Sequence, residues 1–275
     1  MLLLPIGTFA ATATIIKKGG HAVMLIEQSI SKLHEMKLHG MAHALREQLQ
    51  QPDISELSFE ERFSLLVDRE WTHRDNTRMT RLLKNAKLRL SASIEDIDFK
   101  APRGLDRSVI LRLAQCDWIG RAHNVLITGP TGVGNTYLAC ALAQRACRSG
   151  FPALYVRLPT LFQQLALARA DGSYPQLLKR VGKAKVLVID DWGIAPMAAA
   201  ERRDLFEVIE ERHGISSTIV ATQLPVNLWH ENIRDPTIAD AILDRIVHSA
   251  HRIELKGESM RKRKKPLTDE GSSGT

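Results

Sequence analysis

Eight consecutive residues, Gly129, Pro130, Thr131, Gly132, Val133, Gly134, Asn135 and Thr136 ("GPTGVGNT"), carry the strongest chemical signal in this chain. They match the phosphate-loop pattern G-x-x-x-x-G-K-[ST] at every position but one. The glycines let the backbone fold so tightly that successive N–H groups converge on phosphate oxygens, and a helix starting at the loop's end adds its positive N-terminus. Thr136 offers a hydroxyl of the kind that ligates magnesium, and Tyr137 opens the helix that follows. The flanks agree: "HNVLIT" before the loop reads as a buried strand and "YLACALAQRAC" after it as a helix. Position 135 is the exception, with asparagine where the pattern requires lysine. Three possibilities follow: a nucleotide-driven machine, a nucleotide sensor that cannot turn over, or a decayed copy of one.

Three further stretches could complete such a site. "KVLVIDDWG" (185–193) is an apolar strand that ends in Asp190 and Asp191. After a phosphate loop, the first acid is expected to hold the metal and the second to orient an attacking water; in isolation the pair would read as a turn after a strand. "STIVATQLP" (217–225) ends its strand in Thr222 and Gln223, polar side chains placed to meet a γ-phosphate or a water, although such pairs often only make turns. In "AILDRIVHSAHRIEL" (241–255), Arg245 and Arg252 could each reach a neighbouring subunit's nucleotide, with Arg245 preferred, or either could simply pair with Asp244.

Two basic features suit a polyanion. Projected at about 100° per residue, Arg74, Arg78 and Arg81 share one side of a helix with Lys84 flanking and Arg89 nearby, while Met79, Leu83, Ala86 and Leu90 take the other side. A solvated amphipathic face explains this equally well, but a surface that tracks phosphates by releasing counterions is the sharper reading. The second feature is the run Arg261, Lys262, Arg263, Lys264 and Lys265.

The elements that must carry these residues fall into two kinds. From Met24 to about Leu90 the apolar spacing is helical throughout, interrupted at Pro52 and Asp53 and restarted by a capping box at Ser58 and Glu61, with a long helix expected from Phe59 to about Leu90. "SASIEDIDFKAPRG" (91–104) reads as a connector and "LDRSVILRLAQCDWI" as one short helix. Strands are then expected at His123–Thr128, Ala153–Leu158, Lys185–Asp190, Ser217–Gln223 and Arg252–Leu255. Helices are expected near 135–149, 159–170, 199–213 and 236–249. Such alternation predicts an α/β domain with a mostly parallel sheet flanked by helices, preceded by a small all-helical domain. The expected division is an extension over 1–23, a helical domain with its linker over 24–99, a nucleotide-binding domain over 100–257 and a basic tail over 258–275.

Composition is compatible with this. The 275 residues are 44% hydrophobic and 25% charged, which fits one sizeable core and an appendage. A net charge of +7 and a pI near 9.4 suit a nucleic-acid partner. Three cysteines without metal-ligand spacing argue for a reducing, cytoplasmic setting and against a disulfide scaffold or zinc site, with Cys140 and Cys147 as small core residues. The apolar start lacks a basic lead and meets Lys17 and Lys18 too soon to span a membrane. The regular pattern begins at Met24, so translation is expected to start at Met1 or Met24.

Taken together, "SKLHEMKLHGMAHAL", "FEERFSLLVDREW", "HNVLITGPTGVGNTYLACAL", "VLVIDDWG", "TQLPVNLWH" and "ILDRIVHSAHRIELKGESMRKR" resemble the IstB family, the AAA+ ATPase helpers of insertion-sequence transposases, which are similar to the helicase loader DnaC. The resemblance runs from about Met24 to Lys265. It implies an AAA+ phosphate-loop NTPase domain without the usual separate helical lid, with ATP and Mg2+ as cofactors. It also implies ATP-dependent homo-oligomerisation on duplex DNA and recruitment of a cognate transposase. A DnaC-like helicase loader and a DNA-binding scaffold indifferent to nucleotide are the alternatives. Asn135 departs from the family's lysine. Loss of one charge-assisted bond is worth roughly 1.5–3 kcal/mol, about 10- to 100-fold in affinity, and transfer chemistry suffers more than binding because its transition state relies on that charge. Asn135 thus reads as an inactivating or engineered change or a misread, as a natural ATP-binding protein with crippled hydrolysis, or as an enzyme that uses another cation.

Overall fold

The computed structural model describes residues 24–260. The expected extension over 1–23, the Arg261–Lys265 run and the polar end lie outside the described residues. The chain divides into two compact units, Met1–Arg78 and Met79–Thr275.

In the first unit the helical pattern after Met24 yields two helices, α1 (residues 24–35) and α2 (His39–Gln50). Lys37 breaks them apart with φ of 60°. Its N–H donates to His34 O at 2.9 Å and that of Leu38 to Leu33 O at 2.8 Å, the double closure of a left-handed helix end, here without the customary glycine. A 3-10 turn at Pro52–Glu56 follows, and α3 spans Phe59–Ala86. The expected capping box forms: Ser58 N–H donates to Glu61 Oε2 at 2.8 Å and Glu61 N–H to Ser58 Oγ at 3.2 Å. The helix α3 stops short of Leu90 because Lys87 turns left-handed at φ of 51°. Gly40 lets α2 approach α3, since a Cβ there would lie 2.8 Å from Arg69 O, Glu70 Cα and His73 Cβ.

The second unit begins within α3 and continues through α4 (Arg107–Leu113), whose N-cap Asp106 accepts from Ser108 N–H at 2.7 Å, and α5 (Asp117–Gly120). The single helix expected here is split by Cys116, left-handed at φ of 67°. Five strands follow in chain order: β1 (Asn124–Thr128), β2 (Ala153–Arg157), β3 (Val186–Trp192), β4 (Ser217–Thr222) and β5 (Ala250–Glu254). The helices between them are α6 (Asn135–Arg148), α7 (Leu158–Asp171), α8 (Tyr174–Lys183), α9 (Ala199–Glu210), α10 (Trp229–Ile233) and α11 (Pro236–Val247). All five expected strands are found within one or two residues, whereas α8 and α10 were not expected. Every strand pair is parallel, in the order β2-β3-β4-β1-β5.

The strands are apolar on both faces because both are covered. Val125, Ile127, Val188, Ile219 and Ala221 pack with α6, α4 and α5. Leu126, Leu154, Leu187, Ile189 and Val220 pack with the helices from α7 to α11. The helix α6 lies against the sheet through small residues, among them Ala139, Cys140, Ala143 and Cys147, all buried. Burial also pushes the Cys140 and Cys147 thiols up from their ordinary range, as expected of core residues. With β1 between β4 and β5, the loops leaving β1, β3 and β4 share one rim of the sheet, where parallel α/β folds hold their ligands. No helix among the described residues is long and apolar enough to cross a membrane.

Candidate nucleotide-binding site

The loop from Gly129 to Gly134 joins β1 to α6 and is braced from behind. Gly132 and Gly134 take φ of 86° and 113°, conformations costly for any residue with a Cβ. A Cβ on Gly132 would lie 2.2 Å from Ser259 Oγ, and one on Gly134 would lie 2.5 Å from Arg103 Nη1. Buried Val133 turns its carbonyl to Arg103 Nη1 at 2.9 Å, and Met260 N–H donates to Gly132 O at 2.9 Å. Arg103 was not singled out in the sequence; nothing in "APRG" distinguishes a loop-bracing cation from a solvated one. Burial pulls its guanidinium below the ordinary range, with Asp98 and Tyr137 opposing. At the start of α6 no side chain caps the helix, so its first amides remain for an anion. The side chain of Tyr137 packs on the core, and burial raises its phenol above the usual range, so its contribution to the loop is its place in the first turn.

Asn135 folds back onto the protein. Its Nδ2 donates to Gly129 O at 2.6 Å and to Thr222 O at 3.0 Å, tying the phosphate loop to the end of β4. Its Oδ1 is buried without a hydrogen-bond partner. Thr131 and Gln223 make a second tie between the same two elements through a hydrogen bond from Thr131 Oγ1 to Gln223 Oε1. Thr222 is placed differently: its buried hydroxyl donates to Trp192 O at 2.6 Å and accepts from Leu224 N–H at 2.9 Å, which shapes the turn after β4.

The acids at the end of β3 sit beside Thr136. Thr136 Oγ1 donates to Asp190 Oδ2 at 2.9 Å, and the hydroxyl of buried Tyr155 on β2 donates to the same oxygen at 2.6 Å. Burial, then Asp190, push the Tyr155 phenol far above its ordinary range, so it remains a donor throughout the physiological range. Asp191 is the extra residue of a bulge: Asp190 pairs with Ala221 and Trp192 with Thr222, leaving Asp191 left-handed at φ of 62°. Arg157 binds the Asp191 carboxylate directly. Arg89, expected only near the basic side, approaches the acids, its Nη1 at 3.7 Å from Asp190 Oδ2 and 3.8 Å from Asp191 Oδ2. Neither Tyr155 nor the bulge could be read from local sequence, because both depend on the β2–β3–β4 register.

The loop, Thr136, Asp190, Asp191 and Gln223 therefore share one rim. Glycine-cradled amides with an uncapped helix end suit phosphates, and a hydroxyl beside a carboxylate suits a hard cation such as Mg2+. Arg245 belongs to a different part of the unit. It pairs with Glu210, lies over the Phe206 ring at 5.3 Å and donates to Ala241 O at 2.8 Å. Its carbonyl accepts from Asn124 Nδ2 at 3.0 Å, which sets it at the start of β1, about 15 Å along the strand from the loop. Asp244 and Arg252 are exposed. On α3, Arg74, Arg78, Arg81 and Lys84 are all exposed, and Arg74 pairs with Glu70 at 2.7 Å.

Comparison with known proteins supplies the context. The family described as IstB-like ATP binding protein matches residues 31–268. An insertion-sequence ATP-binding protein of Sinorhizobium fredii is 47% identical over 239 residues, covering 87% of this chain and 98% of its own length. The ATP-binding protein of insertion sequence IS21 from Pseudomonas aeruginosa is 31% identical over 233 residues, covering 85% and 88%. Among solved structures, DnaI aligns with a TM-score of 0.52 at 21% identity, covering 64% of this chain and 93% of that one. The AMPPCP-bound DnaA of Aquifex aeolicus aligns at 0.53 and 15% identity, covering 64% and 53%. The DnaC helicase loader aligns at 0.50 and 18% identity, covering 62% and 100%. At these identities the likeness is one of fold: a parallel sheet flanked by helices, preceded here by N-terminal helices.

Proposed function

Because this chain belongs to the family of IstB-like ATP binding proteins, we propose that it is a transposition helper that binds Mg·ATP, assembles on duplex DNA and engages a partner transposase, with hydrolysis impaired at Asn135. The observation that carries the reading is the rim itself: a glycine loop, Thr136 on Asp190, and Asn135 withdrawn onto Gly129 O and Thr222 O. Loop amides and the α6 N-terminus hold the phosphates. Thr136 and Asp190 hold Mg2+, which neutralises phosphate charge when bound. Asp191, set apart by its bulge, orients a water, and Gln223 keeps the end of β4 on the loop.

Asn135 cannot supply what the family's lysine supplies. Its amide is spent on two carbonyls and carries no charge for the transferred phosphoryl group. Among the described residues, the cations named at this rim are the arginines Arg89, Arg103 and Arg157, each engaged with the protein. Arg245 is the proposed contribution to a neighbouring subunit's nucleotide, since its place at the start of β1 keeps it from its own. DNA contact is proposed through Arg74, Arg78, Arg81, Lys84 and the Arg261–Lys265 run, chiefly to phosphates. The family match favours this over a helicase loader, for which the support is likeness of fold alone.

The test is a titration of Mg·ATP against the protein and its Asn135→Lys variant, with hydrolysis followed in the same samples and sedimentation on duplex DNA at each nucleotide state. Binding by both, hydrolysis by the variant only, and DNA assembly that depends on ATP are the expected results. Equal hydrolysis by both would overturn the account of Asn135, and DNA binding indifferent to ATP would overturn the helper reading.

A further inference from the structure

Asp190 and Asp191 stand side by side at the end of β3, and the chain itself supplies two guanidinium groups to neutralise them. The two are held differently. Arg157 is bonded directly to Asp191. Arg89 approaches both acids only to 3.7 and 3.8 Å, beyond hydrogen-bond distance, and its side chain is 45% exposed. The Tyr155 hydroxyl donates to Asp190 Oδ2, the oxygen that also accepts from Thr136. Arg89 therefore contributes charge to the acid pair without filling the acids' lone pairs. That is the arrangement of a counter-ion that can be exchanged, whereas Tyr155 and Thr136 define where Asp190 points.

We propose that Arg89 is a positioning residue that competes with the metal: it neutralises Asp190 and Asp191 from the segment just after α3, and Mg2+ entering beside Thr136 displaces its charge from the pair. The inference rests on the proposed Mg·nucleotide reading of the rim. Coulomb repulsion sets the sign. A guanidinium less than 4 Å from the carboxylate oxygens disfavours a divalent cation on the same oxygens, so removing it must lower the Mg2+ concentration needed. The size follows from exposure: a half-exposed ion pair is worth at most about a fivefold change in affinity.

The experiment follows binding of a fluorescent ATP analogue at fixed concentration while free Mg2+ is raised from EDTA-buffered zero. The half-saturating Mg2+ concentration is expected to fall by up to about fivefold in Arg89→Ala. It should fall likewise in Arg89→Gln, which keeps most of the side chain, and return toward the starting value in Arg89→Lys, which restores the charge. Affinity for the analogue in EDTA should be no tighter in the two neutral variants, because the effect is on the metal. An unchanged or higher Mg2+ midpoint in both neutral variants overturns the proposal, as does Arg89→Lys behaving like Arg89→Ala. If the unaltered protein binds the analogue at no Mg2+ concentration, the nucleotide reading itself falls.

Discussion

Replacing Asn135 by alanine removes both donors that join Gly129 O to Thr222 O, and leaves two carbonyls at the loop's root without that partner. The expected cost is about 1–2 kcal/mol of stability, measured by urea unfolding of the nucleotide-free protein. Asn135 would then count as a structural tie in addition to being a missing cation. The loop motif and the two acids were legible in sequence because each is a short pattern tied to a strand end. What Asn135 does was not legible, because its acceptors come from the start of its own loop and from β4, which are distant in the chain. Thr222 shows the same limit: a strand-end threonine reads as a catalytic candidate until its hydroxyl is found on Trp192 O.

In the helical unit, the contact between α2 and α3 depends on Gly40. Gly40→Ala would set a Cβ 2.8 Å from backbone and side-chain atoms of α3, and is expected to cost about 1–3 kcal/mol in a thermal or urea melt. A second prediction concerns Glu70 on α3. Burial opposes its ionisation, but Arg74 and the amides of Met41 and Gly40 outweigh it and hold the carboxyl below the ordinary range. A carboxyl lowered in the folded state adds stability that is present above its unfolded pKa and lost as pH falls through its folded one. Glu70→Gln should therefore flatten the decline of stability below about pH 4.5, read from urea midpoints across an acid series. Helix starts here were legible, as at Ser58 and Glu61, because capping chemistry is local. Helix stops were not: Lys37, Lys87 and Arg234 take the left-handed turn usually left to glycine, so no sequence signal marks them.

Across the nucleotide-binding unit, a single buried cation joins elements far apart in the chain. Arg212 donates to Val181 O and Ala184 O at 2.7 Å and to Ser217 O at 2.5 Å, linking the end of α8 to the start of β4. Desolvation draws its guanidinium down to about 9, which still leaves it charged at neutral pH. Arg212→Ala would strand three carbonyls, with an expected loss of about 3–4 kcal/mol in urea unfolding, while surface substitutions such as Arg203→Ala should change little. The sequence alone determined the parallel α/β class and the strands to within one or two residues, and it marked the phosphate-loop pattern and the acid pair as candidates. It could do so because apolar periodicity and glycine spacing are properties of neighbouring residues. Only the tertiary structure decided where Arg89, Arg103, Tyr155 and Arg212 act, that α8 and α10 are helices, and that Arg245 lies away from the loop. Those outcomes are set by strand order and register, which bring together residues that no local pattern connects.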